Sequence, residues 1–254
     1  MIAAFTAGRE GVTVKTFAVA ATLTVLGVSP SAAQIPTKFV NLQVLPADTS
    51  QAALVMTMRE FATGLGVRCN YCHVGENPAT LANFDFAADS KAAKQTARGM
   101  MRMVREINSR LLPAARPSPT MAVTCVTCHR GLADPRTLLE VLTATVQREG
   151  VPAAIAQYRT LREQFYGSGS YDFSAMTLNG LAERVGRENG NLDGAIEIQK
   201  FNIEVNPNLW TSYSLLANLY QQHGDRSAAR ASIEAALKLD PNNDFLKSRL
   251  GELK

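Results

Sequence analysis

Cys69-Asn70-Tyr71-Cys72-His73 and Cys125-Val126-Thr127-Cys128-His129 are two copies of one pattern, C-x-x-C-H. Together they hold all 4 cysteines and two of the 3 histidines of the chain. Two thiols at this spacing can reach the two vinyl groups of one porphyrin. The histidine beside them then lies under the iron, which is the attachment pattern of c-type haem. Other chemistries compete for the same residues, since C-x-x-C pairs also bind zinc, act as redox dithiols or close structural disulfides. Zinc does not require a histidine directly after each pair, and no βαβ pattern surrounds either motif. A disulfide framework suits a shorter, more cysteine-dense chain. The pattern therefore predicts two covalently bound haem c groups, held by Cys69, Cys72, Cys125 and Cys128. His73 and His129 are the expected proximal iron ligands.

Upstream, residues 1–33 have the build of a cleaved secretory signal. Arg9 and Lys15 supply positive charge, an apolar run of 12 residues spans Phe17 to Val28, and Ser31-Ala32-Ala33 precedes Gln34. The run is well short of the ~20 residues that span a bilayer, and no cysteine is near it to carry a lipid. No later stretch is apolar enough to cross a membrane, so no membrane span is expected in the mature chain. In bacteria haem is attached to C-x-x-C-H thiols outside the cytoplasmic membrane, so the signal and the motifs predict one compartment, the periplasm.

The fold class expected is all-α. A helix is predicted from Asp48 to Gly64, capped by Asp48 or Ser50, with Leu54, Met58, Phe61 and Leu65 at helical spacing. A second is predicted from Ser90 to Leu112, with Met100, Met103, Val104, Ile107 and Leu111 on its stripe. Pro113 to Pro119 leads into the second motif, and Asp134-Pro135 is expected to open a third helix ending near Gly150. Residues 34–150 carry a net +4 and residues 151–254 a net −1. There is no basic cluster of the kind that binds nucleic acid. Arg98, Arg102, Arg105 and Arg110 are spaced as a helix face, read as solvated or as partners for haem propionates.

Each iron needs a group opposite its histidine or an open site. The remaining histidine, His223, lies far along the chain, which leaves methionine. Met58 sits 11 residues before Cys69 and Met100 sits 25 before Cys125, both on apolar stripes. Methionine there is also ordinary core filler, and Met56, Met101, Met103 and Met121 compete.

Leu65 to His73, Ala97 to Asn108 and Val123 to Gly131 resemble the cytochrome c subunit of photosynthetic reaction centres. That family repeats a unit of helix, turn and C-x-x-C-H, and a methionine on the preceding helix supplies the sixth ligand to most of its haems. The resemblance implies Met58 as sixth ligand at the first haem and Met100 at the second. It covers roughly residues 40–133 and two haems rather than the family's four. The family's additional histidine ligand has no counterpart between Leu111 and Arg116.

The remainder is a repeat of period 34. Leu181, Gly190, Ala195, Pro207 and Asn208 recur as Leu215, Gly224, Ala229, Pro241 and Asn242. This resembles the tetratricopeptide repeat, with Gly186 standing where Tyr220 is in the second copy. A further helix is predicted over 151–166, a hinge over Gly167 to Tyr171 and a capping helix from Asp244. The expected organisation is a signal peptide (1–33), a di-haem cytochrome c domain (34–150) and a tetratricopeptide-like helical repeat domain (151–254). The expected function is a periplasmic carrier of single electrons between redox partner proteins. The repeat region would dock a partner, including a membrane electron-transfer complex. The alternatives are a haem peroxidase-like oxidoreductase with one open iron site and a haem-based redox sensor.

Overall fold

Ser50 is extended and accepts a hydrogen bond from the Ala53 amide at 3.3 Å, which opens α1 (Gln51–Leu65). Gly66 closes it at φ 66°. The Gly66 and Val67 amides reach back to the Thr63 and Ala62 carbonyls at 3.2 and 3.0 Å, a Schellman ending. The computed structural model describes residues 35–115, 122–188 and 190–253; the signal expected over 1–33 and Met121 lie outside them.

Cys69–Tyr71 forms a 3₁₀ turn, and a looped segment follows with one isolated bridge between Val74 and Asp85. Next comes α2 (Ala92–Glu106), continued by a π-helical turn (Ile107–Leu111) into the short α3 (Leu112–Ala115). The second motif is itself a short helix, α4 (Cys125–His129). The third predicted helix does not open at Asp134-Pro135. It is α5 (Leu138–Glu149), capped by Thr137, whose side chain and amide exchange hydrogen bonds with Glu140. Gly150 ends it as predicted.

Seven helices from α5 onward stack in sequence: α6 (Val151–Phe165), the hairpin α7 (Ala175–Glu188) with α8 (Leu192–Val205), the hairpin α9 (Trp210–His223) with α10 (Arg226–Leu239), and α11 (Asp244–Glu252). Gly190 and Gly224 hold positive φ at equivalent turns of the two hairpins. At Gly186 a Cβ would come within 3.3 Å of the Ala195 Cβ, so the missing side chain lets α7 and α8 approach. Leu142, Tyr158, Leu178 and Ile198 are fully buried in one apolar core, to which Leu138 also belongs. Ala217, Ala229, Ile233 and Ala236 form a second core under α11. Asn179 Oδ1 accepts from Gln199, Asn202 and Ser212 at 2.8, 2.7 and 3.0 Å, a buried knot across α7, α8 and α9.

The segment before α5 is built otherwise. Between residues 35 and 131 the buried residues among those described are Gly64, Lys94 and Arg98. Met100, Met103, Leu111 and Val126 are exposed, and Met58, Phe61, Val104 and Ile107 are half-buried. The two regions are fastened by Ser170, whose hydroxyl donates to the Arg130 carbonyl at 2.6 Å. Ser170 lies in the stretch expected to hinge, Gly167 to Tyr171, which here forms a turn. Ser170 is buried, and the Tyr171 ring packs edge-on against Phe165. No helix among the described residues is long and apolar enough to cross a membrane.

Candidate functional site

The two motifs are brought together through α1. Its C-terminal end packs on α4, and Gly64 leaves room for Cys125, whose Cβ would lie 3.2 Å from a side chain placed there. The Gly131 amide donates to the Gly64 carbonyl at 2.9 Å. A Cβ on Gly66 would stand 2.1 Å from the Gly131 carbonyl oxygen. The residues that end the helix before the first motif therefore hold the turn after the second. Asn108, in the π turn, fixes the approach to the second motif. Its amide donates to the Val123 carbonyl at 2.7 Å and its carbonyl accepts from the Val123 amide at 2.8 Å.

All four thiols are free. Burial pushes the Cys72 and Cys125 thiols up from their ordinary range, a shift that Lys91 and Lys94 partly oppose at Cys72. Among the described residues, no three His, Cys, Asp or Glu side chains converge on a point. A four-sulfur zinc site, which would need both pairs at one place, lacks that geometry. Each histidine instead stays with its own pair. The His73 amide bonds the Cys69 carbonyl at 3.0 Å, and His129 ends the helix that Cys125 begins.

The two imidazoles are held differently. His129 Nδ1 is paired with the Leu132 carbonyl at 2.8 Å, an arrangement that directs the opposite nitrogen toward a metal. His73 Nδ1 is buried and makes no hydrogen bond, although the Phe86 main chain lies beside it. The Phe86 ring stands edge-on to His73 with centroids 5.2 Å apart. Burial pushes His73 below the usual imidazole range, and Lys94 pushes it further. Met58 lies half-buried on α1, and Met100 is 41% exposed on α2.

Arg98 is neither a solvated residue nor a free partner for propionates. It is buried and donates to Asp89 Oδ2 at 2.8 Å. Lys94, one turn earlier on α2, is buried as well; its ammonium donates to the Phe86, Ala87 and Ala88 carbonyls at 2.9, 3.0 and 2.8 Å and pairs with Asp89 at 3.0 Å. Lys91 reaches the Asn70 carbonyl inside the first motif. This clamp escaped the sequence reading, because a buried i, i+4 pair of cations has the same spacing as a solvated one. Arg105 bonds the Val44 carbonyl and Arg110 pairs with Glu106, both at the surface.

The residues fit a bound haem on three counts: paired thiols with an adjacent imidazole, an Nδ1 partner that leaves Nε2 of His129 for iron, and apolar helix stripes with no protein core to enter. An all-α unit with these turns defines a c-type cytochrome, whose haem is covalently bound. Residues 12–192 match the photosynthetic reaction centre cytochrome c subunit family, and the chain belongs to it. It is also 36% identical over 91 residues to cytochrome c-554 of Chloroflexus aurantiacus, a stretch that is 35% of this chain and 20% of that protein. The chain thus spans about a fifth of the length of the curated relative it matches.

Proposed function

We propose that this protein is a periplasmic di-haem cytochrome that passes single electrons between redox partner proteins. One observation carries the reading. Two C-x-x-C-H turns are joined through α1 and α4 inside a stretch whose apolar side chains, among the described residues, have no core of their own. Cys69 and Cys72 would hold one porphyrin, Cys125 and Cys128 the other. His73 with Met58, and His129 with Met100, would be the axial pairs. When bound, haem supplies a one-electron iron couple, and a thioether opposite imidazole raises its potential. The chain's own contribution is to orient the imidazoles and to keep two attachment turns side by side. The helical hairpins after α6, read as tetratricopeptide-like, would dock a donor or an acceptor protein.

The test is a haem count per chain with ligand spectroscopy, on protein made in a host that attaches haem c. Two low-spin irons are expected. Met58→Leu and Met100→Leu should each convert one iron to high spin, and a spectrum unchanged by both would refute the ligand assignment.

A further inference from the structure

We propose that the first haem site, at His73, is the more oxidising of the two, and that Lys94 is the positioning residue that sets the difference. The inference rests on the di-haem reading. Ferric iron carries one more positive charge than ferrous iron. A buried cation nearby therefore favours the reduced state, and a more basic imidazole favours the oxidised one.

Both influences act in the same direction. Around His73 stand Lys94 and Arg98, both buried, against the carboxylates of Asp89 and of Asp85, which accepts from the Ala87 and Ala88 amides at 2.9 Å. Both carboxylates are on exposed residues whereas both cations are buried, so the cations act through the less screened medium, and Lys91 at Asn70 adds to them. The second motif has no such neighbour: among the described residues 35–131 the buried cations are Lys94 and Arg98, and both bond the 86–89 segment whose Phe86 ring lies against His73. Arg68 precedes the first motif and Arg130 follows the second, and both are exposed, where water screens them. The imidazoles add to the contrast. His129 is paired at Nδ1 with the Leu132 carbonyl at 2.8 Å, which strengthens it as a donor, whereas the Phe86 main chain beside His73 stays outside hydrogen-bond geometry at Nδ1. Lys94 also holds Phe86, the ring against His73, by donating to its carbonyl. With haem held at both motifs, one electron would pass from the His129 site to the His73 site. No proton or co-reactant is needed.

A spectroelectrochemical titration of the full haem-loaded chain tests this. The native protein should show two separable one-electron transitions. Lys94→Gln should lower the higher one by about tenfold in its equilibrium constant, or 59 mV for one electron, and leave the lower one in place. Lys94→Arg should restore it. Asp89→Asn removes the neutralising carboxylate and should raise the higher transition, whereas mere loosening of the segment would admit water and lower it. The proposal is overturned if Lys94→Gln moves the lower transition or neither, or if Asp89→Asn lowers the higher one. A pyridine haemochrome count below two per chain, on the same samples, would overturn the di-haem reading and this proposal with it.

Discussion

Residues 35–131 and residues 138–253 bury apolar side chains in opposite ways. The later region closes on itself. Leu142, Tyr158 and Ile198 are fully buried, and small alanines let α9, α10 and α11 meet. Among the described residues of the earlier region the deepest side chains are two cations, while Met100, Met103 and Val126 remain exposed. A helix short of tertiary partners is marginal in water, because nucleation is costly and packing supplies most of its stability. The earlier region should therefore depend on a bound prosthetic group, and the later one should not. The largest test of that contrast replaces all four cysteines by serine. Hydrogen exchange should show α1 and α2 unprotected, with α6 to α10 protected as in the native protein. Full protection of α1 without haem would break the comparison.

A cavity in the later region should have the converse signature. Leu178 is 1% exposed in the main core. Leu178→Ala should cost about 2–5 kcal/mol, read in the unfolding of the helical hairpins, with the haem absorption unchanged. A shift of both haem spectra would mean that the regions share more than the Ser170 link.

Gly66→Ala should have the next largest effect, and on the other side. Its φ of 66° disfavours a side chain, and a Cβ would collide with the Gly131 carbonyl, which is backbone and cannot rotate away. Strain of this kind costs about 1–3 kcal/mol, and the damage should reach both motifs at once because the contact joins them. A spectral change at only one iron would show that the α1–α4 junction does not couple the sites.

How much was legible in the residues follows the same divide. The helices, the two motifs and the hairpin repeat were readable because spacing sets them: 3.6 for helices, three between thiols, 34 between hairpins. The Leu132 partner of His129 and the Phe86 ring at His73 were not, since neither has a local pattern. Arg98 was misread because helical spacing reports which residues share a face, and not what covers that face. Asp134-Pro135 looked like a helix start, but Thr137 with Glu140 made the better cap three residues on. The Gly167 to Tyr171 stretch has hinge composition, yet in the structure Ser170 bonds the Arg130 carbonyl and the Tyr171 ring packs on Phe165. Composition states what a segment can do when free, and contacts decide whether it is.

A smaller effect concerns acid. The Arg98 and Lys94 bonds hold the Asp89 carboxyl well below the usual carboxylate range. Its folded value is depressed, so its contribution is fully present above about pH 3.9, the ordinary aspartate value. It is lost only as pH falls through the folded value. Exchange protection of residues 84–89 in the haem-loaded protein should accordingly persist at pH 4 and fail in stronger acid. In Asp89→Asn that pH dependence should disappear. Loss of protection already at pH 5 in the native protein would show that the clamp is not formed.

The smallest effect isolates burial as the variable. His223 Nε2 stands 3.0 Å from Asp193 Oδ1, the same separation as Lys94 from Asp89. The side chains of the first pair are 46% and 87% exposed, whereas that of Lys94 is 11% exposed. Water screens the first pair, and exposed ion pairs contribute about 0–1 kcal/mol. Asp193→Asn should therefore change the unfolding free energy of the hairpins by less than about 0.5 kcal/mol. It should leave both reduction potentials where they were, while Lys94→Gln moves one of them. Equal distances with unequal consequences would show that dielectric environment, and not proximity, separates the two regions' charges. An Asp193→Asn effect as large as that of Lys94→Gln would remove the distinction.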